Sequence, residues 1–208
     1  MSVRPAGNEA QWEKRLNIRT AAGSYEKDDS NHSRYEPTAY AVLGRLAESG
    51  YLRPENKLVD YGCGKGRVGF YLNRALGIRT VGVEYNERLH AEAQENLKRF
   101  AGGRAENIRF VLGNAENYEV TDEDIFYFFN PFSERILRSV ISRILESYYA
   151  RPRRMLLLFY YALDSYLDCL GSEDALTYEG EIDCRDLFEP ADEREKILIY
   201  SVGQGELT

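Results

Sequence analysis

Residues 58–69 read LVDYGCGKGRVG, in which a short apolar run is followed by four glycines within eight residues. The run LVDYG predicts a buried strand, and the stretch from Arg67 to Leu76 predicts a helix because its apolar side chains recur on one side. Glycines between a strand and a helix permit a tight turn and a close approach of the backbone to a ligand. The stretch therefore predicts a strand–turn–helix unit that binds a ligand at its turn.

The alternation of strands and helices continues along the chain beyond this turn. Further strands are predicted at residues 78–85, 108–113, 124–130, 153–162 and 196–203, and a weaker one at 178–183. Helices are predicted at residues 9–18, 38–48, 67–76 and 86–100, and again after Ser133. This order predicts an α/β fold, with a mostly parallel sheet covered on both faces. The carboxyl ends of its strands share one edge, where open α/β sheets bind their ligands.

Composition limits the classes of protein to which this chain can belong. Its 208 residues fit one domain with a substantial core, and an apolar fraction of 43% excludes a disordered chain. The longest apolar runs are too short to span a membrane, and three scattered cysteines favour neither disulfides nor a structural metal site. We therefore expect a cytoplasmic protein without a metal or a membrane partner. The net charge of −7 disfavours nucleic acid as a partner.

The glycines can be aligned with two different cofactor motifs. Gly64, Gly66 and Gly69 match the spacing of a dinucleotide-binding turn, which would indicate an NAD-dependent oxidoreductase. In that motif the first glycine follows the strand at once, and here Gly62 already occupies this place. The alignment that starts at the strand end is Asp60-x-Gly62-x-Gly64-x-Gly66, with an acid inside the strand. The chain also lacks a recognisable Tyr-x-x-x-Lys group for hydride transfer.

The run VDYGCGKG resembles the cofactor loop of class I S-adenosylmethionine-dependent methyltransferases, in which an acid precedes alternating glycines. The resemblance implies a three-layer, Rossmann-like fold whose mostly parallel, seven-stranded sheet has an antiparallel C-terminal strand. It places the cofactor, S-adenosyl-L-methionine, against the loop formed by Asp60, Gly62, Cys63, Gly64 and Gly66. Asp60 is expected to accept a hydrogen bond from the methionyl ammonium group. Cys63 is expected to be a small buried side chain rather than a nucleophile.

Two later strand ends agree with this resemblance. Glu84 closes the second strand, where an acid can accept hydrogen bonds from both ribose hydroxyls. Asn114 and Ala115 follow the third strand, where family members usually place a short polar side chain on the adenine amine. The alternatives are an ordinary surface carboxylate at Glu84 and a turn-forming asparagine at Asn114.

The sequence Asn130-Pro131-Phe132 follows the fourth strand, where the resemblance places residues facing the methyl group and its acceptor. It is similar to the Asn-Pro-Pro-aromatic motif of methyltransferases that act on amino or amide nitrogen, with one proline missing. Asn130 is therefore predicted to contact the cofactor and to act in catalysis, and nitrogen is the predicted acceptor atom. Alternatively, Asn130-Pro131 merely ends the strand and Ser133 caps the next helix.

Residues 1–50 are expected to form an N-terminal helical lid that belongs to the same domain as the cofactor-binding residues 51–208. In related methyltransferases the segment before the first strand covers the cofactor, and this implies that Tyr35 or Thr38 touches the methionyl end. A plain surface loop is the alternative. His32 is a candidate base for an amine acceptor.

The identity of the acceptor is left open by the sequence. Tyr160 and Tyr161 end the fifth strand and are expected to line an aromatic pocket or to belong to the core. Arg151, Arg153 and Arg154 begin that strand, at the edge opposite the predicted site, so a small molecule or a protein side chain is favoured over RNA as the substrate. A module that binds the cofactor without catalysis is a further alternative. The sequence gives no indication of the oligomeric state.

Overall fold

The computed structural model describes residues 9–21 and 31–203 of the chain and contains one seven-stranded sheet. Its strands are β1 (Lys57–Tyr61), β2 (Arg79–Glu84), β3 (Ile108–Leu112), β4 (Ile125–Phe128), β5 (Leu156–Tyr160), β6 (Leu176–Asp183) and β7 (Lys196–Val202). They are arranged in the order β3-β2-β1-β4-β5-β7-β6. β7 runs antiparallel to both of its neighbours, and the other pairs are parallel. The predicted mostly parallel sheet with an antiparallel C-terminal strand is confirmed.

Helices cover both faces of this sheet. They are α1 (Glu9–Leu16), α2 (Tyr40–Glu48), α3 (Arg67–Leu76), α4 (Glu87–Arg99), α5 (Glu134–Ala150) and α6 (Asp164–Gly171). Leu58 of β1 belongs to the core cluster that α1, α2 and α3 cover, whereas its neighbour Val59 belongs to the cluster that α5 and α6 cover. Successive side chains of a strand point to opposite faces, so a central strand with both faces covered buries apolar side chains on both of them.

Several predicted boundaries of helices are wrong by a few residues, and one helix was not predicted. α2 begins at Tyr40 rather than Thr38, because the backbone of Ala39 is extended. The sequence around α6 shows helical spacing only through Tyr166, Cys169 and Leu170, which are the residues that the helix buries. Three buried apolar positions in eight residues are too few to distinguish such a helix from a loop.

The loops after β1, β2, β3, β4 and β5 meet at the carboxyl edge of the sheet, as predicted. At the opposite edge, Arg153 donates hydrogen bonds to the carbonyl oxygens of Glu123 (2.7 Å) and Ser147 (3.3 Å). This arginine therefore secures a turn and a helix end. Within residues 9–21 and 31–203, no helix is both long and apolar enough to cross a membrane.

Candidate active site

The loop after β1 needs glycine at three positions for two separate reasons. Gly62, Gly64 and Gly66 all have left-handed backbones, with φ angles of +72°, +54° and +87°. A Cβ atom at Gly62 would lie 2.3 Å from Pro131, and one at Gly64 would lie 2.1 Å from the ring of Tyr35. The alternating glycines therefore allow the turn itself and the close packing of Pro131 and Tyr35 against it.

Glu84 joins this loop to the one that follows β2. It is buried, and its carboxylate accepts hydrogen bonds from the backbone amides of Gly64 (2.7 Å) and Asn86 (2.8 Å). The carboxylate thus fixes the relative position of two loops at the carboxyl edge. The contact of this carboxylate with the ribose hydroxyls stays a prediction.

Asp60 is the buried acid at the end of β1. Only 4% of its surface is exposed, and its Oδ2 atom has no hydrogen-bond partner among the described residues. Burial, and then the negative charge of Glu84, raises the pKa of Asp60 well above its ordinary value. A buried carboxylate oxygen without a partner is costly, which makes it a good acceptor for a cationic ligand group.

A narrow cavity of about 90 Å³ brings most of the predicted cofactor residues together. Its lining includes Asp60, Gly62, Cys63, Glu84, Ala115, Thr38 and Tyr35. Burial, and then the charge of Glu84, raises the pKa of Cys63 well above its ordinary range, so its thiol is neutral and not a nucleophile.

Asn114 does not line this cavity, although its neighbours Gly113 and Ala115 do. Its side chain accepts a hydrogen bond from the backbone amide of Glu116 (3.0 Å) and donates one to the carboxylate of that residue (3.1 Å). These bonds cap the short turn that follows β3, as expected for a turn-forming asparagine. A contact of Asn114 with adenine stays a prediction.

Residues 31–38, which we call the strap, cross the carboxyl edge of the sheet. The amide of Ser33 donates to the carbonyl oxygen of Pro131 (3.0 Å), and the amide of Ser133 donates to that of Asn31 (2.8 Å). Ser133 precedes α5, but its side chain makes no capping hydrogen bond to that helix. The ring of His32 stacks on Tyr85, with 4.1 Å between the centroids.

The C-terminal part of the strap is held by hydrogen bonds of the side chains of Tyr35 and Thr38. The hydroxyl of Tyr35 donates to the carbonyl oxygen of Thr20 (2.6 Å), and Thr38 Oγ1 lies 2.9 Å from the hydroxyl of Tyr127. The strap therefore lies over both the glycine loop and the Asn130-Pro131-Phe132 motif. Its function as a lid remains a prediction.

Arg67 is a residue of this region that the sequence analysis missed. It is 3% exposed and pairs with the carboxylates of Glu9 and Glu13 on α1. Its guanidinium also donates to Thr20 Oγ1 (2.6 Å) and to the carbonyl oxygen of Thr38 (3.1 Å). A cation in the first turn of α3 interacts unfavourably with the helix dipole, so it needs carboxylates nearby to compensate. The position of Arg67 in the sequence was therefore the signal that could have identified it.

Asn130 has a strained backbone and a fixed side-chain orientation. Its φ angle is +43°, and that of Tyr161 is +55°, both in the left-handed region. The Nδ2 atom of Asn130 donates to the carbonyl oxygen of Tyr161 at 2.7 Å. Its Oδ1 atom is buried and has no hydrogen-bond partner in the part of the chain that the structure describes. Strained residues of this kind concentrate at functional sites.

Comparison with known proteins agrees with the geometry of this edge. Residues 58–149 match a family model that is described as a methyltransferase domain. This part of the chain is therefore similar to a methyltransferase domain, which supports the predicted S-adenosylmethionine-dependent methyltransferase. No curated protein matches the sequence significantly.

Solved structures of methyltransferases share the fold of this chain. A TehB-like S-adenosylmethionine-dependent methyltransferase from Corynebacterium glutamicum is 20% identical, with a TM-score of 0.55 over 78% of this chain and 88% of the other. An RNA methyltransferase from Salinibacter ruber, solved with S-adenosylhomocysteine, is 18% identical, with a TM-score of 0.55 over 82% and 96% of the two chains. At these identities the likeness concerns the fold.

Substitution of Asp60 by asparagine is expected to stabilise the ligand-free methyltransferase at neutral pH. The folded protein holds the Asp60 proton more tightly than the unfolded chain does, so stability falls as the pH rises above about 4, the ordinary aspartate pKa. Asp60→Asn removes this loss, so its melting temperature should exceed that of the parent at pH 7 and match it below about pH 4.

Melting temperatures measured across this pH range test the prediction, with Asp168→Asn on the exposed face of α6 as the matched control. The control should show no pH-dependent difference. If the two variants behave alike, the buried carboxylate does not carry the expected cost. Asp60→Asn should also bind S-adenosylhomocysteine at least tenfold more weakly, since an amide cannot pair with an ammonium group as a charge.

Proposed function

We propose that this enzyme transfers the methyl group of S-adenosylmethionine to a nitrogen atom that is held by Asn130. The orientation of the Asn130 amide supports the proposal. A carbonyl oxygen only accepts hydrogen bonds, so the Asn130 atom next to the Tyr161 carbonyl must be the nitrogen. The remaining Oδ1 atom can only accept, and we propose that it accepts from a donor of the substrate. An amino group supplies such a donor.

The residues of the narrow cavity fit the cofactor. We propose that the unpartnered oxygen of Asp60 accepts from the methionyl ammonium group and that Glu84 accepts from the ribose hydroxyls. Gly113 and Ala115 would face the adenine ring. In this arrangement Tyr35 and Thr38 would close the methionyl end, because both line the same cavity from the strap.

The chemistry needs positioning more than it needs acid or base groups in a fixed triad. When bound, the cofactor would supply a methyl carbon on a positively charged sulfur. The nitrogen lone pair would form the new bond to that carbon, and the carbon–sulfur electron pair would stay on sulfur. Asn130 holds the acceptor nitrogen by one of its hydrogens, which leaves the lone pair free to face the cofactor. The strap, if it acts as the predicted lid, would exclude water from this place.

The acceptor is proposed to be a small molecule or a protein side chain. One relative with the same fold is an RNA methyltransferase, so RNA belongs among the acceptors to be tested. The cluster formed by Arg151, Arg153 and Arg154 lies at the opposite edge of the sheet, and Arg151 and Arg153 make hydrogen bonds to backbone carbonyls there. These two side chains are therefore poorly placed to guide RNA towards Asn130.

Thermal unfolding with candidate ligands tests the cofactor assignment directly. S-adenosylhomocysteine at 100 times its dissociation constant should stabilise the fold by about 2.7 kcal/mol, whereas NAD should have no effect. Radiolabelled methyl transfer to a panel of amines, amides, alcohols and RNA then tests the acceptor class. Label that appears only in alcohols or in carbon positions would refute nitrogen as the acceptor atom.

A further inference from the structure

A second and wider cleft adjoins the cofactor cavity. It has a volume of about 870 Å³, within the range that suits a small organic ligand. It shares residues 33–37 and Phe129 with the narrow cavity, and Asn130 lies on its wall. The residues before β7 close its far side. A molecule in this cleft would therefore reach both Asn130 and the methyl group.

Aromatic rings form one wall of this cleft. The centroid of Phe129 lies 4.7 Å from that of Tyr160 and 6.4 Å from that of Tyr161, and the two tyrosine rings are 6.2 Å apart. Such a wall suits a flat apolar body, and its ring faces attract a cation. The guanidinium of Arg194 already stacks on the ring of Tyr161, at 4.5 Å from its centroid.

The lining of the cleft carries one more carboxylate than guanidinium groups. The guanidinium groups are those of Arg34 and Arg194, and the carboxylates are those of Glu36, Asp192 and Glu195. Arg194 pairs with Asp192, and the hydroxyl of Tyr161 also donates to Asp192 (2.7 Å). Glu195 is 4% exposed, and the hydrogen bond to its side chain comes from a neutral group, the hydroxyl of Tyr160.

The pKa values of Asp192 and Glu195 are shifted in opposite directions. Arg194 and the Tyr161 hydroxyl hold the pKa of Asp192 well below its usual value, so Asp192 stays charged. Burial, followed by the charges of Asp192 and Glu36, raises the pKa of Glu195, although the Tyr160 hydroxyl and the charge of Arg194 partly oppose that rise. A carboxylate with a raised pKa beside one with a lowered pKa is the pattern of a base next to a fixed charge.

We propose that this cleft binds an alkyl amine with an apolar, ring-bearing body, and that Glu195 removes a proton from its ammonium group. The proposal rests on the nitrogen acceptor proposed above and adds the class of substrate and the base. The ammonium would lie between the Asn130 Oδ1 atom and the Glu195 carboxylate. The apolar body would lie against the wall formed by Phe129, Tyr160 and Tyr161.

A base is needed because an alkyl ammonium group has no lone pair. Its pKa is close to that of lysine, so at pH 7 roughly one amine in a thousand is neutral. Glu195 would accept one ammonium proton, and the electron pair of that nitrogen–hydrogen bond would stay on nitrogen as the attacking pair. The methylated product leaves as a cation, and Glu195 afterwards returns its proton to the solvent. Atoms and charge therefore balance without another reactant.

Binding of defined probes tests the substrate class without any turnover. In the presence of S-adenosylhomocysteine, calorimetry should show that phenethylamine binds at least tenfold more tightly than 2-phenylethanol, which is neutral and of the same shape. The carboxylate 3-phenylpropanoate should not bind. Glu195→Gln should lose most of the preference for the amine, whereas Glu193→Gln, an exposed acid outside the cleft, should keep it.

The pH dependence of transfer distinguishes a base from a structural residue. For the parent enzyme, kcat/KM should rise with pH until Glu195 is ionised and then level off. For Glu195→Gln it should fall about 100-fold at pH 7 and rise tenfold per pH unit up to the pKa of the amine. Tyr160→Phe removes a donor that favours the charged carboxylate, so the rise should move to higher pH.

The outcomes separate this proposal from the nitrogen acceptor on which it rests. Methylation of phenethylamine or of a lysine peptide supports it, and their ratio shows whether the natural amine is a free molecule or a protein side chain. If the enzyme methylates neutral amides, and Glu195→Gln does so at the same rate, the proposed amine substrate and the proposed base are both wrong. The nitrogen acceptor would still stand. Equal binding of phenethylamine and 2-phenylethanol would also overturn it.

Discussion

Replacement of Asn130 by alanine is expected to lower the rate of methyl transfer at least 100-fold and to leave the affinity for S-adenosylhomocysteine within about twofold. The side chain supplies one oriented acceptor, and loss of a comparable preorganised group in other active sites costs about this much. It also holds the left-handed turn through its bond to the Tyr161 carbonyl oxygen. Single-turnover kinetics with labelled cofactor, together with calorimetry, measure both quantities.

Two further variants separate the side chain of Asn130 from its backbone. Glycine adopts the left-handed conformation without strain, so Asn130→Gly should fold as well as the parent and transfer as poorly as the alanine variant. Asn130→Asp keeps an acceptor oxygen but loses the donor to Tyr161, and should be intermediate in rate. A glycine variant with the parental transfer rate would show that Asn130 merely ends β4.

Replacement of Arg67 by methionine is expected to destabilise the fold by about 3 kcal/mol, the largest stability effect that we predict for a single residue. Removal of one partner from a buried ion pair leaves its charges uncompensated. Here Glu9 and Glu13 would both lose their cation, and the Thr38 carbonyl oxygen would lose a donor. Denaturant unfolding of the ligand-free protein, extrapolated to water, measures the loss.

A matched substitution shows whether burial is the cause. Arg88 on α4 also pairs with a glutamate, at 3.6 Å, but it is 72% exposed. Exposed pairs contribute little, so Arg88→Met should change the free energy of unfolding by no more than about 0.5 kcal/mol. Similar losses in the two variants would mean that the contacts of Arg67 with α1 are not the source of its effect.

The glycine loop shows how far a local pattern reaches. The strand before it, the helix after it and the left-handed glycines themselves follow from residues 58–76, because each depends on neighbours within a few positions. What lies on the loop does not follow. Gly62 packs against Pro131 and Gly64 against Tyr35, contacts whose partners stand far away along the chain.

The candidate site divides in the same way. Asp60, Glu84 and Asn130 were predicted from the resemblance, and each follows or ends a strand of a parallel sheet that brings carboxyl ends to one edge. The resemblance also placed Asn114 in the site, where hydrogen bonds to Glu116 hold its side chain and its contact with adenine stays a prediction. Strand topology fixes which residues reach the edge, whereas side-chain bonds decide which atoms face the cavity.

The sequence by itself determined the α/β fold and the glycine turn, because strand and helix periodicity and glycine spacing act over short distances. The type of enzyme was predicted from the resemblance of this turn to the cofactor loop of class I methyltransferases. Only the tertiary structure revealed the unpartnered Oδ1 atom of Asn130, the ion pairs of Arg67 and the carboxylate of Glu195 beside Tyr160. Those groups come together across 31 to 58 positions of the chain. Their charge state and orientation depend on burial and on partners that no local pattern records.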